Sequence, residues 1–262
     1  MGLRPVVTRG AVLARLRAAG CVAAEDEADE LVAAAPDGAT LDAWTCARER
    51  GEPLAWITGS MRFCGLVVQV DPGVFVPRLQ SEELAGRAAA LLPAGGWAAD
   101  LCTGAGAVAM ALMARVPGAT VVGVDVDPGA AACAGRNGVP AVRGDLGAPL
   151  RTGVFDVVTA VAPYVPRREV ARLPADVQRY EPLLALEGGD DGLDVVRAVI
   201  GDARRLLRRG GWLLTEIGGA QDTGVRTALE AARFSDVTTW RDEDGDLRGV
   251  AARLTGSPGP AR

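Results

Sequence analysis

Histidine and lysine are both missing from this 262-residue chain, whose 28 basic residues are all arginine. The bias reflects GC-rich coding more than function, but it has a chemical consequence. Any reaction here runs without an imidazole or an amine as general base, and without histidine as a metal ligand. No metal site is therefore expected. Long apolar runs are absent too: nothing approaches the roughly 18 residues needed to span a bilayer. Residues 1–20 are broken by Arg4, Pro5, Arg9, Arg15 and Arg17, so they lack the apolar block of a secretory signal, and a cytoplasmic location is the expectation. Cysteine is scarce. The five thiols, at positions 21, 46, 64, 102 and 133, are odd in number and lack metal-ligand spacing, which reads as reduced, mostly buried side chains. A formal charge of −5 argues against a surface built to grip a nucleic-acid backbone.

The residues present suffice for a sizeable core, with 49% apolar residues in a length that fits one large domain or a small unit plus an α/β domain. Residues 9–35 and 41–50 carry helical apolar spacing, with a turn at Pro36-Asp37-Gly38 and Thr40 or Asp42 as the cap of the second helical stretch. A helical unit over 1–58 is expected. FCGLVVQVDPGVFVP, 63–77, reads as two β-rich runs around Asp71-Pro72-Gly73, a hairpin inside a linker at 59–80. From Trp97, strands at 97–101, 120–125, 140–143, 154–161, 211–217, 235–240 and 248–254 alternate with helices, the pattern of a parallel sheet. The helices fall at 80–92, 105–115, 128–137, 191–208 and 219–232, the fourth with Gly210 or Gly211 as its C-cap. An α/β domain over 81–255 and a disordered tail at 256–262 complete the expected division.

The segment AADLCTGAGAVAMAL, 98–112, reads as strand, glycine loop and helix. Gly104 and Gly106 let the backbone approach a ligand, a logic that dinucleotide-binding domains share. Its neighbours discriminate. Asp125 closes a second strand about 20 residues after the loop, where an acid can hold both ribose hydroxyls. Asp145 follows a third strand, placed for an adenine amino group. Asp100 precedes the loop, which holds no basic residue, and an acid there suits an ammonium better than a pyrophosphate. Together these favour S-adenosylmethionine over a nicotinamide dinucleotide. Asp127 and Asp176 read as surface charges.

FDVVTAVAPYVP, 155–166, is an apolar strand running into the loop Val161-Ala162-Pro163-Tyr164. With RERGEPLAWITGSMRFCGLVVQVDPGVFVPR (48–78), DLCTGAGAVA (100–109), VVGVDVDP (121–128), YEPLLALEGGDDGLDVVRAVI (180–200), LLTEIGGAQ (213–221) and DEDGDLRGV (242–250), it carries a resemblance over about residues 45 to 254. In order and spacing the chain resembles the release-factor (protein) glutamine-N5 methyltransferase family. It is most similar to an actinobacterial-type branch whose loop reads Asn-Ala-Pro-Tyr. The resemblance implies a class I S-adenosylmethionine-dependent methyltransferase: an α/β, Rossmann-like seven-stranded sheet with a small helical N-terminal domain and a β-hairpin linker. It implies methylation of the glutamine amide in the Gly-Gly-Gln loop of peptide-chain release factors. By position, Phe75 and the 161–164 loop, Tyr164 included, would line the substrate slot. Asp100, Cys102, Thr103, Gly104, Gly106, Asp125, Val126, Asp145 and Leu146 would hold cofactor, with Arg78 near it. PRLQSE departs from the family's Pro-Arg-Pro-Glu-Thr-Glu, and Cys102 stands where the family often has glycine.

The loop also lacks the family's asparagine. There, its side-chain oxygen and the next backbone carbonyl accept the two amide N–H groups, pointing the nitrogen at the methyl group. Here the Ala162 carbonyl survives, but Val161 has no side-chain acceptor. A lost acceptor facing a buried donor costs about 1–3 kcal/mol, roughly tenfold to a hundredfold in rate. The expectation is therefore a methyltransferase whose acceptor differs, a small molecule or another nitrogen or oxygen, unless Thr159 substitutes for the asparagine. The alternatives are a true release-factor enzyme that tolerates Val161, and a non-catalytic cofactor-binding protein. No nucleic-acid or membrane partner is expected.

Overall fold

A computed structural model describes residues 8–255. Four helices open it: α1 Arg9–Ala18, α2 Ala24–Ala34, α3 Gly38–Glu49 and α4 Leu54–Thr58. They enclose a small apolar cluster of their own that includes Val12, Leu16, Ala28, Leu31 and Leu41. The cap of α3 is Asp37, not Thr40 or Asp42: its carboxylate accepts from the Thr40 N–H at 2.7 Å, because its extended backbone turns the side chain onto the orphan helix donors. This helical unit meets the rest of the chain at Tyr180, whose hydroxyl donates to the Arg50 carbonyl and whose ring packs edge-on against Trp56.

The hairpin is displaced from its expected turn. Strands β1 Ser60–Phe63 and β2 Leu66–Gln69 pair around Cys64-Gly65, with φ of +51° and +78°. A two-residue hairpin turn needs left-handed backbone at both centres, which matches strand twist. Asp71-Pro72-Gly73 makes a separate turn beyond β2, closed by Val74 N–H on the Asp71 carbonyl.

The α/β part runs α5 Ser81–Leu91, β3 Trp97–Leu101, α6 Ala107–Arg115, β4 Thr120–Asp125, α7 Pro128–Arg136, β5 Ala141–Arg143 and β6 Phe155–Ala160. Short helices α8 Arg167–Val170 and α9 Ala175–Tyr180 come next, then α10 Asp194–Leu206, β7 Leu207–Glu216, α11 Asp222–Ala231, β8 Phe234–Arg241 and β9 Leu247–Leu254. The seven strands of the sheet lie in the order β5-β4-β3-β6-β7-β9-β8, with β9 antiparallel to both neighbours. Strand β6 is buried throughout, as a central parallel strand covered on both faces must be. Helix α10 lays Val196, Val199, Ile200, Ala203 and Leu206 on the sheet, a stripe of helical period. It passes directly into β7 at Leu207, which pairs with Phe155, so Gly210 and Gly211 lie within an irregular strand and do not cap the helix. Helices α8 and α9 are too short to show a periodic pattern in the sequence. Residues 256–262, the expected tail, lie outside the described residues.

The chain crosses from β3 towards β4 on one side and reaches β6 on the other. A crevice must open at the carboxyl ends of β3 and β6, where the order of connection reverses.

Candidate methyl-transfer site

At that crevice the loop after β3 turns on three left-handed residues, Cys102, Gly104 and Gly106, with φ of +55°, +57° and +84°. The two glycines differ in their need. A Cβ at Gly106 would lie 2.9 Å from Val139 Cγ2 and 3.1 Å from the Ala134 Cβ, so close packing requires glycine there. At Gly104 the same space is open.

Two carboxylates hold this loop. Asp100 is 2% exposed and accepts from the Thr103 hydroxyl at 2.6 Å and the Thr159 hydroxyl at 2.7 Å, joining the loop to β6 from behind. Burial pushes its carboxyl up to about 6. Asp125 accepts from the Gly104 and Asp127 N–H groups, each at 2.9 Å, and burial raises its carboxyl above the ordinary value.

A cavity of about 490 Å³ opens in front of the loop. Of the residues expected to hold cofactor, Cys102, Gly104, Asp125, Val126, Asp145 and Leu146 line it. Asp100, Thr103 and Gly106 stand behind and shape it, while Arg78 lies in a neighbouring cavity. No lining residue is basic, which disfavours a pyrophosphate. Four aspartates line it, Asp125 and Asp145 together with Asp194 and Asp127, the last a helix cap as well as the surface charge expected. Carboxylates facing apolar Val126, Leu146 and Val195 suit hydroxyl and amino donors around a flat base, and Gly104 leaves the backbone bare. These residues fit S-adenosylmethionine.

The second cavity, about 330 Å³, shares Phe75, Val161 and Ala185 with the first. Ala162, Tyr164, Arg78 and Glu216 complete its inner wall. The 161–164 loop and Phe75 thus come together at a common boundary, the arrangement expected of an acceptor slot. Pro163 faces the cofactor side. Tyr164 is fastened through its carbonyl, which accepts from Gln221 Nε2 at 2.8 Å. Its phenol is pushed up to about 12, first by burial and then by the nearby Glu216 carboxylate, so it remains protonated. Thr159 cannot replace the missing asparagine: its side chain is fully buried, its hydroxyl is turned to Asp100 behind the loop, and it lines neither cavity.

Glu216 and Glu181 are the site residues not singled out from sequence. Both lie in segments that carried the resemblance, and the signal that marks them, their burial, exists only in the folded chain. Glu181 accepts from Arg78, whose guanidinium lies 4.8 Å from the centre of the Phe75 ring.

Comparison with known proteins bears on this geometry. The Methyltransferase domain family matches residues 99–171, which span the loop, both acidic strand ends and the 161–164 turn. A release factor glutamine methyltransferase from Geobacter sulfurreducens is 37% identical over 213 residues, covering 79% of this chain and 75% of the relative. One from Mycolicibacterium smegmatis is 37% identical over 233 residues, covering 83% and 81%. The chain belongs to the release factor glutamine methyltransferase family. It is an S-adenosylmethionine-dependent methyltransferase with the class I fold. The fold is shared with a 16S rRNA N2 G1207 methyltransferase from T. thermophilus in complex with AdoMet and guanosine, at a TM-score of 0.52 and 20% identity, covering 78% of this chain and 46% of the other. Among the described residues of the enzyme, no helix is long and apolar enough to cross a membrane, and no cluster of histidine, cysteine, aspartate and glutamate could hold a metal ion.

Proposed function

We propose that this enzyme methylates the side-chain amide nitrogen of a glutamine in a peptide-chain release factor. The observation that carries the reading is the shared wall. Phe75 and Val161 border both the cofactor cavity and an apolar slot, so a flat amide entering the slot reaches the cofactor's edge between them. The expectation of a different acceptor rested on Val161 alone. Relatives across 34–39% identity carry the glutamine name, in Gloeobacter violaceus and Rhodospirillum rubrum as well as those above, and they favour the alternative that Val161 is tolerated.

Asp125 would accept the ribose hydroxyls and Asp145 the adenine amino group, while Val126 and Leu146 would pack on the base. Bound S-adenosylmethionine supplies an electrophilic methyl group. The protein's part is to orient the amide. The Ala162 carbonyl accepts no loop hydrogen bond among the described residues and is free for one amide N–H. Pro163, Tyr164 and Phe75 confine the plane of the amide and exclude water. Holding a weak nucleophile in line, with its N–H groups engaged, lowers the barrier without prior deprotonation.

The test is a methylation assay read by mass spectrometry, using the purified enzyme, S-adenosylmethionine and a release factor with an unmethylated Gly-Gly-Gln loop. A mass gain of one methyl group mapped to that glutamine is expected. No gain in a sample shown to bind cofactor would return the search to other acceptors or to a non-catalytic role.

A further inference from the structure

Strand register places an oxygen where Val161 offers none. Strands β6 and β7 are parallel neighbours in which Thr159 pairs with Leu214 and Ala160 with Thr215. The strand pairing stops there, but the next residue of each strand, Val161 after β6 and Glu216 at the end of β7, comes to the same cavity wall. Both side chains line the second cavity. Glu216 is the only carboxylate among the residues that line it, and it is 6% exposed.

We propose that the Glu216 carboxylate is the side-chain acceptor of this slot, taking one N–H of the incoming nitrogen in place of the loop asparagine and then carrying off its proton. The inference rests on the reading that a nitrogen acceptor enters the slot. In the step, the nitrogen lone pair forms the bond to the methyl carbon, and the methyl–sulfur bond breaks with its electron pair left on sulfur. The nitrogen is then cationic. Its N–H bond breaks, the electron pair stays on nitrogen, and the proton passes to Glu216 and from there to water. No histidine or lysine exists to take it, and the Tyr164 phenol is held protonated.

The surroundings suit the role. Glu216 faces the Ser81 hydroxyl on α5, the Tyr164 hydroxyl, the Arg248 guanidinium on β9 and Arg78 beyond the hairpin. A carboxylate has about four lone-pair positions, more than the nearby Tyr164 and Ser81 hydroxyls could fill, and the buried Ser81 hydroxyl has no hydrogen-bond partner, so room is left for a substrate donor. Burial raises its carboxyl above the ordinary glutamate value despite the two arginines. The carboxylate form, and with it kcat, therefore grows as pH rises through that raised ionisation.

The experiment compares the wild-type enzyme, Glu216→Gln, and the double variant Val161→Asn with Glu216→Gln. Acceptors are the unmethylated release factor and a panel of simple primary amides and amines; cofactor affinity and thermal unfolding are measured alongside. For Glu216→Gln we expect kcat to fall about 100-fold, with cofactor affinity and the KM of the acceptor little changed, and the acidic limb of the pH profile lost. Adding Val161→Asn should recover about tenfold, which a purely structural role for Glu216 would not allow. A kcat within about threefold of wild type, or a limb that persists, overturns the proposal. If Glu216→Gln does not bind cofactor, the wild-type profile decides: a flat kcat across about pH 5 to 9 overturns the proposal, and an acidic limb supports it. Methylation of a panel acceptor alone defeats the release-factor reading while Glu216 is still judged on that acceptor. Cofactor binding with no acceptor methylated defeats both.

Discussion

The Arg78 guanidinium covers the face of the Phe75 ring and donates to Glu181, whose side chain is only 3% exposed. A buried carboxylate thus aims a cation, and the cation braces the aromatic wall between the two cavities. Arg78→Ala removes both functions. It should destabilise the fold by about 1–3 kcal/mol, because Glu181 is left buried without its partner. It should also raise the acceptor KM. Arg78→Lys should regain much of the stability but less of the activity, since an ammonium cannot stack as a planar guanidinium does. Urea unfolding and steady-state kinetics on the same preparations separate the two effects.

Asp100 should make stability depend on pH in an unusual direction. Its folded carboxyl ionises near about 6 against an ordinary 3.8, so the native state binds the proton more tightly than the unfolded chain. Stability therefore falls as pH rises from about 4 to about 6 and stays lower above, by an amount on the order of 3 kcal/mol. Asp100→Asn removes the charge, keeps an acceptor oxygen for one threonine and presents an amide N–H to the other, whose hydroxyl can turn to accept it. The cofactor-free variant should exceed wild type by about 1–3 kcal/mol at pH 8, with the gap closing towards pH 4. Denaturant titrations at both pH values check this.

The loop glycines should fail in different ways. Gly106→Ala adds a methyl group 2.9 Å from Val139 Cγ2 at a φ of +84°, and should cost about 2–4 kcal/mol of stability. Gly104→Ala meets no atom, so its structural cost should be only about 1–2 kcal/mol. Its methyl group instead enters the cofactor cavity and should weaken S-adenosylmethionine binding more than it lowers the melting temperature. Melting curves with and without cofactor distinguish the two.

Asp125→Asn should weaken cofactor binding about tenfold or more, the worth of a charged hydrogen bond to hydroxyl donors. Stability without cofactor should change little, since the burial that raises its ionisation offsets the bonds to Gly104 and Asp127. Calorimetric titration with S-adenosylmethionine gives the affinity directly.

Much of this site is legible as text. Asp125 and Asp145 announce themselves because strand ends in an alternating chain return to one edge, and residues ending parallel strands face one crevice. Phe75 and the 161–164 loop come from the resemblance, and the structure brings them to one wall. Asp100 is expected at the cofactor, but its neighbours Thr103 and Thr159 take both its oxygens behind the loop. Thr159 looks available as a substitute acceptor only because its partner, 59 residues away, cannot be read from spacing. The hairpin is misplaced for a related reason. Asp-Pro-Gly is a strong turn signal, whereas Cys64-Gly65 is a weak one that pairing of Phe63 with Leu66 selects.

The alternation of strands and helices, the glycine loop, the acidic strand ends and the loss of the loop asparagine are all readable in the order of residues, since each is a local pattern of a few residues. Which carboxylates face the cavity and which are buried behind it emerges only once the chain is folded. The fold alone set Arg78 between Glu181 and Phe75, and Glu216 in one cavity wall with Val161. Those relations depend on strand order and register, through which residues 55 or 103 positions apart become neighbours within a few ångströms.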